Sequence, residues 1–428
     1  MTRISGYAFY GCSSLKEFTC SETIKSIDES AYEGCSSITS FSTNKVSSIG
    51  PSAFKGCVKL KNVELNDNIS VIPSECFSGC TNLETISNLQ SIKRIENKAF
   101  ENCKSITKFD LPQILSISDY AFSGCDTASS FILGDELEKL GDGVFYNCPN
   151  LTSLIIPGKV KSIGSSVFYG CSALINLSFN EGDAILELPF GYSYGETNVL
   201  KKEVNGKTIL YKIIYRKSFF DGLPIENLYL GRNLSDAPRY TITGDGGVDY
   251  YRITIYDSPF NNLPMLKELQ IGENVNILGP SEQFISEIEM SITPGSFKEC
   301  NSLEKVHVMN TIPPTGAEFS NSTYSKATLV IPSNTGSLYK VADGWKDFLN
   351  IQDECDGIDE VYCNETISDL SIESNGLVYM GESVEYISIN GIDGKLYYSG
   401  YIEPNQSISL DNGFYIIRLK NNSMKIRI

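Results

Sequence analysis

The chain holds one histidine and one tryptophan in 428 residues, and no run of 18 or more apolar residues. The missing apolar run excludes a membrane-spanning helix. A single histidine, His307 in "KVHVMN", leaves zinc sites built from cysteine and histidine without partners, and no nucleophile or metal-ligand motif surrounds it. No phosphate-cradling G-x-x-x-x-G-K-[ST] occurs. Positive charge is also scarce, with 35 Lys and Arg against 52 Asp and Glu and a formal net charge of −17. Nucleic acid and anionic membrane both demand a cationic footprint, so neither is expected as a partner. No cofactor or metal is expected, and the chain is read as no enzyme. A carboxylate pair brought together by the fold is the one catalytic arrangement left open.

What the sequence does have is repetition. The phrases "AFYGC" at 8–12, "AYEGC" at 31–35, "AFKGC" at 53–57 and "AFSGC" at 121–125 end in cysteine, and Cys12, Cys35, Cys57, Cys80, Cys103, Cys125, Cys148 and Cys171 follow at intervals of 22 or 23 residues. Such a period marks a solenoid whose coils stack on one another. Thiols a whole coil apart do not form a zinc cluster, and in-register stacking holds their β-carbons too far apart for good disulfide geometry. Later phrases end in Leu223 and Leu263 before cysteine returns at Cys300, so leucine can hold the same place. The ladder is therefore read as a buried column of small apolar groups.

Residues 57–79, "CVKLKNVELNDNISVIPSECFSG", show one repeat. Leu60, Val63 and Leu65 have the L-x-x-V-x-L form of a strand, a second apolar pair follows as I-x-x-I in most turns, and the aromatic-to-cysteine phrase closes the coil. One repeat alone buries too little to offset the entropy of ordering it, so stacking is obligatory. The stretches "VSSIGPSAFKGCVKLKNVEL" at 46–65 and "VKSIGSSVFYGCSALINLSF" at 160–179 resemble the BspA-like, or Treponema pallidum-type, leucine-rich repeats of bacterial surface proteins. That resemblance spans roughly residues 1–350. It implies an α/β solenoid, mostly β with a parallel-sheet horseshoe. It also implies an adhesin-like secreted or cell-surface protein that engages host extracellular-matrix proteins or other cells; the alternatives are a non-catalytic structural spacer on the cell surface and a glycan-binding module.

After Cys171 the phrase endings fall 52, 40 and 37 residues apart, which places insertions near 181–218, 233–256 and 275–294. The first two contain Tyr192, Tyr194, Tyr211, Tyr215, Tyr240, Tyr250, Tyr251 and Tyr256. Insertions in a solenoid gather as loops on one face, and tyrosine offers large contact area with few rotors, so these are candidate ligand contacts. The plainer reading is a pair of hairpins turning at Asn205-Gly206 and Gly246-Gly247. Asp245 and Asp249 are too few oxygens for calcium. On the outward strand positions, Ile132, Ile155 and Ile175 form a candidate apolar spot bordered by hydroxyls.

"ATLVIP" at 327–332 reads as a last strand. Leu338, Val341, Trp345 and Phe348 then stand at helical spacing as a lid on the core. The expected organisation is regular repeats over 1–180, irregular repeats with insertions over 181–300, a terminal repeat and cap over 301–351, a linker over 352–369, and a small all-β antiparallel sandwich over 370–428. Cys355 and Cys363, in the linker, either pair in an oxidising compartment or stay free. "INGIDGKLYYSG", "ISLDNGFYIIRL" and "MKIRI" resemble the C-terminal sorting domain of type IX secretion cargo, which implies export and surface attachment. The chain opens inside a repeat without a signal peptide, which suggests a processed or shortened chain.

Overall fold

The structure, a computed structural model, describes residues 2–353 and 370–427 apart from 19, 183–184, 187, 190–193, 205–206, 217–218, 234–239, 245–249, 257–259, 277, 279–282, 286–289, 293–295, 374–375, 381–384, 392–395, 411–413 and 420–421. For some of the strand residues only the backbone is described. The chain divides into two compact units, Met1–Glu354 and Cys355–Ile428.

The repeated phrase A-F-x-G-C is a backbone requirement before it is a packing one. In each of the coils that end at Cys12 through Cys171, two residues four apart have positive φ, such as Glu75 (56°) with Gly79 (74°) and Lys98 (56°) with Asn102 (59°). The second of these is the residue before the ladder cysteine, and only glycine or asparagine occupies it comfortably. A segment broken twice in this way cannot be helical, so turns take the side where an α/β solenoid would carry helices. The described helices are limited to Asn321–Lys326, Gly336–Tyr339 and the 3-10 turn Leu89–Ser91. The expected mostly β solenoid with parallel sheets is present, with turns where helices would stand.

Coils are stitched together on all sides. Strands such as Asn62–Glu64 pair in parallel with their equivalents in the next coil, and from Ser153–Ile156 to Asn350–Asp353 they form one seven-stranded parallel sheet. The I-x-x-I pairs build a second parallel sheet of two-residue strands, from Val71–Ile72 to Ser162–Ile163. On the turn side, the amide of Phe54 donates to Cys76 O, Phe77 to Ala99 O and Phe100 to Ala121 O, at 2.8 to 2.9 Å.

Two columns fill the interior. Phe54, Phe77, Phe100, Phe122 and Phe145 stack with ring centroids 5.5 to 6.0 Å apart. Beside them Cys35, Cys57, Cys80, Cys103, Cys125, Cys148, Cys171, Leu223, Leu263 and Cys300 are buried, whereas Cys12 is exposed. The thiols are more than small apolar groups. Each buried one donates Sγ–H to the carbonyl of the aromatic residue one coil earlier: Cys80 to Phe54 O at 3.1 Å, Cys103 to Phe77 O at 3.2 Å, Cys300 to Phe260 O at 3.2 Å. Leucine preserves the volume at 223 and 263 but gives up this bond.

Tyr32 stands where other coils hold phenylalanine. It is fully buried between Phe9 and Phe54, and its hydroxyl has no hydrogen-bond partner among the described residues. An unpaired buried hydroxyl costs about 1–3 kcal/mol. Tyr32→Phe is therefore expected to raise the melting temperature, read by circular dichroism; a lower one would mean that the hydroxyl is paired.

The insertions also add up to a structure. Tyr194–Val204 and Lys207–Arg216 form one hairpin, Tyr240–Gly244 and Tyr250–Tyr256 another, and the inner strands pair in parallel to give a four-stranded sheet. Tyr211, Ile213, Ile253 and Ile255 pack with Ile285 of a third hairpin in a second small core. Near the first insertion the buried Arg232 donates Nη1–H to Gly158 O (2.6 Å) and Val160 O (2.8 Å), satisfying carbonyls of an earlier coil.

At the end of the stack, Thr328–Ile331 is followed by one further strand, Asn350–Asp353. Tyr339, Trp345 and Phe348 cover the core, and Trp345 donates Nε1–H to Pro314 O at 2.7 Å. Leu338 and Val341 are exposed instead of inward, and Tyr339, the last helical residue, takes the buried position. Gly344, at φ 82°, then turns the chain where a β-carbon would lie 2.0 Å from Ala317 O.

The Cys355–Ile428 unit has antiparallel pairing throughout its described strands, in a three-stranded and a four-stranded sheet. Leu377, Tyr379, Ile387, Ile389, Ile402, Ile408, Leu410 and Ile417 form its core. Cys355 and Cys363 lie outside the described residues.

Candidate functional site

The strand-lined face recurs from coil to coil, in three parallel sheets. Residues alternate inward and outward along each strand, and the register aligns the outward ones from coil to coil. Ile155 lies beside Ser178, Ser178 beside Tyr229, Tyr229 beside Gln270, and Gln270 beside His307. Ile132 and Ile155 occupy equivalent positions of neighbouring coils and are 36% and 47% exposed. Ile175 does not join them. Its coil continues as Asn176↔Ser153, so Ile175 stands level with Thr152, ahead of the strand and half-buried. The apolar spot has two members, bordered by Ser130, Ser153 and Ser178.

Tyr229 is held in place by Glu181, whose Oε1 accepts from its Oη at 3.3 Å, and by the bare α-carbon of Gly272 beneath its hydroxyl. Nearer the first coils the same face carries a shallow depression of about 330 Å³ lined by Ser40, Ser42, Asn62, Glu64, Thr85 and Ser87. Thr85 Oγ1 donates to Asn62 Oδ1 at 2.7 Å within it. Such a lining offers hydrogen bonds to a partner and no reactive group.

The insertion tyrosines differ in exposure even where they share a face of the sheet, as Tyr211 and Tyr251 do. Tyr211 is 5% exposed and belongs to the small core, so it is not available for contact; Tyr251, its neighbour across the sheet, is 38% exposed and stacks on it at 5.6 Å. Tyr194, Tyr215, Tyr240, Tyr250 and Tyr256 lie in the strands with only their backbones described, and Tyr192 lies outside the described residues. So do Asp245, Asp249 and both turn dipeptides.

An aromatic ribbon on the turn side was not anticipated. Tyr120 and Tyr146 meet at 6.1 Å, Tyr146 and Tyr169 at 4.9 Å, and Tyr120 and Tyr169 are exposed. Tyr120 rests on Gly143, where a β-carbon would come within 2.4 Å of its ring. The signal was present in "FYNC" and "FYGC", which repeat tyrosine one period apart. A sequence reading that finds no G-x-S-x-G is corrected by residues 191–195, GYSYG, which have that spelling. A nucleophile elbow needs a strand followed by a helix, whereas here Tyr194 begins an 11-residue antiparallel strand. Ser193 lies outside the described residues, and no group of three metal-ligating side chains occurs among the described ones. No helix among them is long and apolar enough to cross a membrane.

Stacked short coils with parallel strands on one face and an aromatic and thiol interior define a leucine-rich-repeat solenoid. The chain belongs to the BspA-type leucine-rich-repeat family, whose description, BspA type Leucine rich repeat region, matches it in six copies over residues 2–116, 93–188 and 248–342. Among solved structures it is similar to a leucine-rich cell surface protein of Faecalibacterium prausnitzii (21% identity, 78% of this chain and 83% of that one, TM-score 0.37). It is also similar to a leucine-rich repeat protein of Bacteroides ovatus (19%, 78% and 88%, TM-score 0.39). A third is the T. pallidum leucine-rich repeat protein (26%, 37% and 72%, TM-score 0.29). No curated protein matches.

Proposed function

We propose that this chain is a non-catalytic binding protein of the bacterial surface or its surroundings, adhesin-like, that recognises protein or glycoprotein partners through its strand-lined face. Family membership supports protein binding and a surface location. The observation that carries the reading is that Ile132 and Ile155 are exposed at equivalent strand positions of neighbouring coils, with serines around them. An apolar centre with a polar rim is the usual anatomy of a protein interface. Host extracellular-matrix proteins are the proposed partners. The domain division at 180, 300, 351 and 369 and the sandwich reading of 370–428 belong to the same proposal. So does a sorting role for that segment, supported by its antiparallel sheets and separate core.

Surface plasmon resonance of the full chain against fibronectin, fibrinogen, laminin and mucin tests the reading, with Ile132→Ser/Ile155→Ser alongside. Saturable binding that weakens about tenfold or more in the variant is expected. Binding unchanged by the variant would move the site to the Tyr250 and Tyr251 strand. No binding to any of the four would favour a structural spacer on the cell surface.

A further inference from the structure

The outer face of the insertion sheet gathers three cations, Lys201, Lys212 and Arg252. Directly opposed residues, and residues two apart on a strand, share a face. Val199 faces Lys212, Lys212 faces Arg252, and Arg252 faces Thr243, while Lys201 stands two residues from Val199. These side chains lie opposite the small core of Tyr211, Ile213, Ile253 and Ile255. Val199, Lys201, Arg252 and Thr243 are exposed and Lys212 is half-buried.

In the solenoid, neighbouring coils match lysine with acid: Lys61 with Glu84, Lys104 with Asp126, Lys161 with Glu138 and Lys267 with Glu226, at 2.9 to 3.1 Å. The insertion sheet does the reverse. Lys212 and Arg252 are paired side by side, on strands about 4.8 Å apart, an arrangement that destabilises a sheet. Lys201, Lys212 and Arg252 form no ion pair among the described residues. Glu203, the described carboxylate on this face, accepts a hydrogen bond from Thr208 Oγ1 at 2.5 Å. A chain with 52 acidic residues has ample means to neutralise these three cations and leaves them open.

We propose that this face binds a sulfated polysaccharide. Repulsion between Lys212 and Arg252 is relieved when an anion lies across both, and the Arg252 fork and the Thr243 hydroxyl match sulfate oxygens. The cations Lys212 and Arg252 stand side by side across two strands with Lys201 on the next, a row that suits an extended chain. Lysine is depleted from protein interfaces, which disfavours an acidic protein. Single-stranded nucleic acid is held largely by bases stacked on aromatic side chains, and none of the described side chains Val199, Lys201, Lys212, Arg252 and Thr243 on this face is aromatic. This binding is separate from the strand-lined face and stands whether or not that face engages matrix proteins.

The test is binding of the full chain to immobilised heparin by surface plasmon resonance, at about 0.05 M and about 0.15 M salt. Lys212→Gln/Arg252→Gln removes two charges from the face, and Lys159→Gln/Lys161→Gln removes two that are ion-paired elsewhere. Saturable binding is expected, about tenfold weaker in the first variant and little changed in the second. Melting curves of both variants establish that they fold. Ile132→Ser/Ile155→Ser should bind heparin as the parent does, which separates this result from the matrix-binding test. Absence of heparin binding at low salt, or equal loss in the two charge variants, would overturn the proposal. Undiminished binding to desulfated heparin would overturn it too. Tighter binding of polyglutamate or duplex DNA would replace the polysaccharide with that polyanion.

Discussion

Between pH 9 and pH 11 the solenoid is expected to lose its fold, although it withstands pH 7 to 8 without change. Burial pushes the ladder thiols up from their ordinary value of 9.0: to about 11 for Cys35, about 12 for Cys171 and Cys300, and higher for Cys57, Cys103 and Cys125. Off the ladder, Cys20 rises to about 11 and Cys76 also rises. Below pH 9 each thiol is protonated in both states and contributes no pH dependence. Above it the unfolded chain releases its thiol protons while the folded chain retains them, so each rise in pH favours unfolding. The loss per thiol is about 1.4 kcal/mol for each pH unit until the folded value is reached. A domain stable by about 5–15 kcal/mol cannot sustain several such losses at once. Melting by circular dichroism at pH 7, 9, 10 and 10.5 checks this, with Cys103→Ala/Cys125→Ala expected to give a shallower decline. Equal melting temperatures at pH 7 and pH 10 would sink the argument.

That behaviour depends on a column already legible in the sequence, because a period of 22 or 23 residues fixes which side chains stack. What the thiols do there was not legible. The Sγ–H bond to Phe54 O or Phe77 O runs between coils and leaves no local trace beyond the preference for cysteine. Strands of two residues, such as Val71–Ile72, are too short for alternation to reveal, so the second sheet surfaced only as a recurring apolar pair. At the candidate site, Ile132 and Ile155 were readable because they share a phase. Ile175 was misplaced because the two residues between Leu174 and Leu177 both looked outward, and only the pairing of Asn176 with Ser153 shows where the strand begins. The insertion hairpins were visible from their turns. Their mutual pairing was not, since Lys212 meets Arg252 across 40 residues of intervening chain.

Phe100→Ala is expected to divide the stack. The ring is fully buried, 5.5 Å from Phe77, 5.6 Å from Phe122 and 5.2 Å from Phe109. Removing it costs about 3–5 kcal/mol through lost burial and the cavity left behind. In a solenoid each coil touches only its neighbours, so the damage is carried to distant coils only as far as interfaces couple them. Trp345, the sole tryptophan, lies in the terminal cluster with Tyr339, Phe319 and Phe348 and reports on that end alone. Urea unfolding of the variant should show the circular dichroism signal falling early in part, while tryptophan fluorescence keeps a midpoint near that of the parent chain. Probes that move together by the full amount would mean that the coils unfold as one unit. An unchanged midpoint in both would mean that the aromatic column does not bind the coils together. The separated transitions are expected because the insertions after Cys171 break the second sheet at Ser162–Ile163, leaving the strand-lined sheet and the aromatic column to connect the two halves.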